Sequence, residues 1–137
     1  MEIRNLMVGD WFKAVDYNSP FRITAIYDDV VQTQADYQSE IDGNWYSEAK
    51  IKDLVPIELT EEILVKNGFE VHPFGCAWYQ EKGIDFQNYI IVYFRRNGEV
   101  RKVEMDFVNK IRAEYRDIYF VHQLQHELRR VGKEIEL

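Results

Sequence analysis

The spacing of hydrophobic positions changes period along the chain. The front half alternates: Phe21, Ile23, Ala25 and Tyr27 fall on one face of an extended stretch, which predicts a half-buried strand. Gly9 to Val15 predicts another, with Trp11 and Phe12 as bulky anchors, and Val30 to Thr33 a third after the Asp28-Asp29 break. Asn18-Ser19-Pro20 and Asp42-Gly43-Asn44 read as turns, the second ahead of a strand through Trp45 and Tyr46. Ile51 to Ile57 reads as a short extended piece interrupted by Pro56. Several short strands in so few residues suggest a small, strongly bent sheet or partly open barrel, by analogy with the SH3 type.

The period then becomes helical. Glu61 to Asn67 predicts a short helix with Thr60 as N-cap, a Leu59–Leu64 staple, Gly68 at the C-terminus and Phe69 folding back onto Leu64. Alternation returns at Cys76 to Gln80 and at Gln87 to Arg96. Both faces are apolar in the middle of the latter, which predicts a central strand covered on each side. Asn97-Gly98 predicts a type I′ hairpin. Val103, Met105 and Phe107 alternate on the return strand, and Ile111, Ala113 and Tyr115 on a further one. Asp117 to Gly132 predicts a second helix, with Asp117 as N-cap, a stripe of Val121, Leu124, Leu128 and Val131, and Gly132 at C′. The expected class is α+β: a strand-rich acidic part (1–68) ending in the short helix, then a β-meander with a C-terminal helix (69–137), the two sharing one core.

Two stretches carry a resemblance. Tyr119-Phe120-Val121-His122-Gln123-Leu124-Gln125, followed by Gly132 and Lys133-Glu134-Ile135-Glu136-Leu137, forms one. The other is at the front: Ile3-Arg4-Asn5-Leu6, Val8-Gly9-Asp10-Trp11, Ile23-Thr24-Ala25-Ile26-Tyr27, and Pro56-Ile57-Glu58-Leu59-Thr60-Glu61-Glu62-Ile63-Leu64 with Gly68-Phe69. Both are similar to small uncharacterised proteins of gut anaerobic bacteria and their phages. The resemblance implies a phage or mobile-element setting and assigns no catalytic or ligand residue.

Composition narrows the chemistry. A chain of 137 residues with 46% hydrophobic and 15% aromatic content is ample for a packed interior. A single cysteine excludes an internal disulfide framework. No apolar run reaches the ~18 residues a membrane span needs, and the first residues lack the pattern of a signal peptide. A cytoplasmic location is the expectation. The sequence shows no Gly-rich phosphate loop, nucleophile elbow or Cys-x-x-Cys pair, so no enzyme is expected and no cofactor. Cys76 reads as a small core hydrophobe; with His72 it makes a thiolate pair only if the intervening loop folds the two together. His122 and His126, one helical turn apart, have the spacing of a metal pair. The position after His122 is Gln123 rather than the Glu of a zinc peptidase, and they read as surface or second-interface residues pointing away from the apolar stripe.

Charge separates the remaining classes. Residues 1–68 hold 13 acidic and 6 basic side chains, and residues 69–137 hold 11 of each. A pI near 5.0 weighs against broad nucleic-acid binding. Arg95, Arg96, Arg101 and Lys102, with Arg112 and Arg116 nearby, are the exception and the candidate site for phosphate or an acidic partner. Nine tyrosines and three tryptophans favour a partner protein, because a large apolar body with a polar tip suits interfaces. Tyr37, Trp45 and Tyr46 are the candidate contact residues. A non-catalytic protein-binding or structural role is therefore the leading expectation, with nucleic-acid binding through the basic hairpin as the alternative.

Overall fold

The computed structural model describes residues 6–73, 75–80, 88–107 and 110–137. It is α+β, with ten strands in two antiparallel five-stranded sheets and two helices. The chain divides into two compact units, Met1–Ile57 and Glu58–Leu137. The boundary precedes the short helix, so Glu58, Glu61 and Glu62 belong to the second unit. The first keeps ten acidic and five basic residues.

The first unit contains β1 (Trp11–Ala14), β2 (Tyr17–Tyr27), β3 (Val30–Gln38), β4 (Trp45–Lys50) and β5 (Leu54–Pro56), in the order β4-β3-β2-β1-β5. A single 3-10 turn, Ile51–Asp53, leads into β5. The core is Phe12, Ala14, Phe21, Ile23, Val31, Tyr37, Ala49 and Leu54. The Asn18-Ser19-Pro20 turn expected from sequence is not there. These three residues lie inside β2 with their side chains exposed, and the chain reverses earlier, between the paired residues Ala14 and Tyr17. Turn-forming residues are tolerated in a strand where solvent takes the polar groups. β3 runs five residues beyond the expected Thr33. An irregular stretch of pairing with β4 interrupts it, where Thr33 Oγ1 donates to the Ala35 and Ser47 carbonyls.

The second unit contains α1 (Glu61–Lys66), β6 (Glu70–His72), β7 (Cys76–Gln80), β8 (Tyr89–Phe94), β9 (Val100–Phe107), β10 (Ile111–Tyr115) and α2 (Val121–Arg129). Its sheet order is β10-β9-β8-β7-β6. β8 is central as expected, with Ile90 and Val92 fully buried. Of its expected span, Gln87 lies outside the described residues. α1 matches its sequence signals: Thr60 Oγ1 accepts from Ile63 N, Gly68 turns the chain at φ +89°, and Phe69 N donates to Leu64 O. Leu59, Leu64 and Phe69 are all buried around it. The Asn67 side chain then pins the C-terminal tail. Its amide donates to Ile63 O and Glu136 O and accepts from Glu136 N, while the neighbouring Ile135 is fully buried.

Two local expectations are corrected here. α2 starts at Val121, not after Asp117, because the Gln123 side chain turns back to accept from Tyr119 N and Phe120 N at 2.8 and 3.1 Å. This is the returning half of a capping box, and Phe120 has no acceptor to supply the other half. The hairpin at Asn97-Gly98 is not type I′, which needs positive φ at both central residues. Gly98 has φ +87° and Asn97 does not. Gly98 N donates to Arg95 O, and Arg95 N donates to Glu99 O. These bonds describe a three-residue loop, a type I turn closed by a left-handed glycine.

Candidate functional site

The β3–β4 connection, Ser39 to Asn44, is built from its own side chains. Ser39 Oγ accepts from Ile41 N and Asp42 N at 3.2 and 3.4 Å. Asp42 Oδ1 accepts from Asn44 N at 2.8 Å, and Asp42 Oδ2 from the Tyr46 hydroxyl. Gly43 takes φ +73° and donates to Ser39 O. Two further segments are tied to this tip. Glu40 N donates to Asp16 O at 2.7 Å, which brings in the β1–β2 turn, and Val15 N donates to Asp53 O at 2.9 Å, which brings in the 3-10 turn.

That convergence forms a rigid end to the first unit. Below it, Tyr37 packs against Tyr17, Phe21 and Tyr46, with ring centroids 5.0, 5.8 and 5.9 Å away. At the surface stand Val15, Ile41 and Trp45, with exposures of 61%, 77% and 67%, together with Tyr46. Asp16, Glu40, Asp42 and Asp53 lie on the same three tied segments. None of these four carboxylates forms an ion pair among the described residues. Three of the four act on Tyr37. Burial pushes its hydroxyl up to about 12, with Asp16, Tyr46, Asp53 and Asp42 adding to the shift. The Tyr46 hydroxyl holds the Asp42 carboxyl below its ordinary value. The end of the unit therefore combines exposed apolar side chains with four carboxylates.

Of the three aromatic residues picked from the sequence, Trp45 and Tyr46 are exposed here. Tyr37 is not a surface residue: it is 5% exposed and lies in the core beneath them. Its facing partner Tyr46 and the Tyr17 and Phe21 rings of β2 pack against it, a tertiary effect that alternation along β3 does not reveal. Ile41, Asp16 and Glu40 were missed. The Asp42-Gly43-Asn44 turn was the available signal, but it does not say which flanking side chains the turn presents.

The basic residues are placed differently from one another. Arg95 and Arg96 are exposed at the hairpin tip, on an open cleft of about 1130 Å³ whose lining also includes Glu58, Glu61, Glu62 and Glu99. Lys102 is occupied. Its Nζ lies 3.0 Å from Glu104 and 3.1 Å from Glu114, and 4.8 Å from the Tyr93 ring centroid. The hydrogen bonds to Glu104 and Glu114 raise its affinity for its proton, and Lys102 in turn depresses the Glu114 carboxyl. Arg101 stacks over Tyr93, Arg116 pairs with Glu114 at 3.1 Å, and Arg112 reaches Asp106 at 3.8 Å. The cluster is brought together but is largely neutralised by its own sheet.

Of the two alternatives for the histidines, the surface one fails: His122 is buried at 6% exposure and His126 is half-buried. His122 stacks on Phe120 at 6.0 Å and meets His126 edge-on at 5.8 Å. The face of α2 beside the apolar stripe is thus covered as well. Among the described residues, no group of three His, Cys, Asp or Glu side chains could hold a metal ion. The β6–β7 hairpin does place His72 opposite Cys76, but the His72 ring lies edge-on to Trp78 at 4.7 Å, and the thiol is half-buried. No helix among the described residues is long and apolar enough to cross a membrane. No family model, curated protein or solved structure matches the chain.

Proposed function

We propose that this chain is a non-catalytic protein-interaction or structural protein that contacts another protein through the acidic, aromatic end of its first unit. One observation carries the reading: Trp45 and Ile41 are the most exposed large hydrophobic side chains among the described residues, and both belong to or flank a tip fixed by its own hydrogen bonds. Exposing a tryptophan on an ordered scaffold suits a binding anchor, since little freedom is lost on docking. The strand order β4-β3-β2-β1-β5, with a 3-10 turn ahead of β5, supports reading the unit as a small SH3-like barrel. A phage or mobile-element setting, in the cytoplasm of the cell, follows from the sequence resemblance and is part of the proposal.

Nucleic-acid binding through Arg95, Arg96, Arg101 and Lys102 is the second reading, and two observations weigh against it. Lys102 is held by two glutamates, and Arg95 and Arg96 share their cleft with four more carboxylates. Phosphate contact would have to displace the first and overcome repulsion from the second. The test is a tagged capture from native host cells, with and without nuclease, run side by side for the wild type and Trp45→Ala. A specific protein that survives nuclease and is lost with Trp45→Ala is the expected result. Capture that depends on nucleic acid, or that ignores Trp45→Ala, overturns the reading.

A further inference from the structure

We infer that the partner is recognised through an extended segment rich in arginine or lysine, laid along edge strand β4 across Trp45. The inference rests on the protein-binding reading above and specifies the chemistry of what binds. Charge is the first argument. The three segments that meet at this end contribute Asp16, Glu40, Asp42 and Asp53 against a single cation, Lys52, and the carboxylates have no ion-pair partners among the described residues. On β4, Glu48 adds an exposed carboxylate in the middle of the strand and Lys50 an exposed cation at the end away from Trp45. Complementarity therefore calls for a cationic occupant and repels an anionic one, nucleic acid included.

The aromatic surface agrees with that sign. An indole face attracts a guanidinium or ammonium group, and arginine stacks on it while donating hydrogen bonds to carboxylates at the rim. The molecule already contains this arrangement elsewhere, with Arg22 over Trp11 at 5.1 Å. Strand order supplies the shape of the occupant. Among the described residues β4 has a sheet neighbour on one side only, and Trp45 to Glu48 are all exposed, so an extended backbone can pair along that edge. An edge strand flanked by acidic side chains pairs poorly with a second copy of itself, which leaves a basic segment of another protein as the occupant that satisfies both edge and charge.

The test is selection of a random decapeptide display library on the full chain, with parallel selections on Trp45→Ala and on the double variant Glu40→Gln/Glu48→Gln. All three substitutions are at exposed positions, and circular dichroism confirms that each variant is folded. Peptides retained by the wild type and lost with Trp45→Ala are expected to carry an excess of Arg and Lys over Asp and Glu. For a synthetic peptide made from the strongest of them, Trp45→Ala should weaken binding about three- to thirtyfold. The double variant should weaken it about three- to tenfold, and added salt should weaken it for the wild type. Retained peptides that are neutral or acidic, or binding indifferent to Trp45→Ala, overturn the inference. If the cellular capture still depends on Trp45 in that case, only the chemistry assigned to the partner falls; if it does not, the protein-binding reading falls with it.

Discussion

Asn67 is where a single side chain holds the second unit's C-terminal tail, and replacing it gives a result that can be worked out in advance. Both amide hydrogens are used, one on Ile63 O at 2.8 Å in the last turn of α1 and one on Glu136 O at 2.9 Å. Oδ1 accepts from Glu136 N at 2.8 Å, so the side chain pairs with one residue of the tail as a neighbouring strand would. Asn67→Ala removes three hydrogen bonds, each worth about 1 kcal/mol net. Glu136 is exposed and its backbone groups can rehydrate, so no penalty for stranded buried groups is added. The expected loss is about 2–3 kcal/mol. If the tail detaches, exposure of Ile135, which is fully buried, sets a further cost of about 1.5–3 kcal/mol. Asn67→Asp should be worse than alanine at neutral pH, because a carboxylate would face two carbonyl oxygens, and it should recover in part as the acid protonates. Urea unfolding followed by circular dichroism gives the stability, and amide exchange at Glu136 reports the tail. A loss under about 0.5 kcal/mol with unchanged protection at Glu136, or an aspartate variant as stable as the wild type, would refute the argument.

Further expectations follow from the same structure. Tyr37 and Tyr115 are both raised to about 12, by burial first and, at Tyr115, by its hydrogen bond to Glu127. A tyrosine whose folded value lies above its unfolded value of about 10 contributes stability that is intact below pH ~10 and lost as pH rises toward ~12, by about 2–3 kcal/mol for the buried Tyr37. Alkaline unfolding of the wild type against Tyr37→Phe checks this, and the phenylalanine variant should show the shallower decline over that interval. Gly98→Ala should cost about 1–2 kcal/mol from backbone strain alone: φ is +87°, and nothing lies within 4 Å of an added Cβ. An unchanged melting temperature would contradict it. Lys102→Ala leaves Glu104 and Glu114 facing each other, so it should lower the melting temperature, and adding Glu114→Gln should restore part of the loss; a thermal double-mutant cycle reads the coupling. Leu64→Ala, which empties a fully buried position, should cost about 2–5 kcal/mol in urea unfolding.

Local chemistry determined much of this fold from the sequence alone. The α1 cap, staple and terminal glycine are contacts between residues a few positions apart, so Thr60, Leu59, Leu64, Gly68 and Phe69 specify them without reference to the rest of the chain. The central place of β8 was also legible from its apolar run, although only the Ile90 and Val92 face is fully buried and the Tyr89, Ile91 and Tyr93 face is half-buried. The site was only partly legible. Trp45 and Tyr46 stood out by type, and the basic residues around the β8–β9 hairpin stood out by charge. Tertiary structure alone decided the rest. Tyr37 is buried because strand pairing sets Tyr46 against it and the Tyr17 and Phe21 rings of β2 pack on it. Lys102 is neutralised because sheet registration brings Glu114 of β10 alongside Glu104. Gln123 rather than Asp117 starts α2 because a side chain reaching back to Tyr119 N and Phe120 N outcompetes a more distant cap. Asp16, Glu40, Asp42 and Asp53 become one field only when three turns, separated in sequence, are tied together by backbone hydrogen bonds. Periodicity fixes which face a residue takes along its own element; which elements then meet that face depends on long-range pairing, and in this protein long-range pairing made the surface.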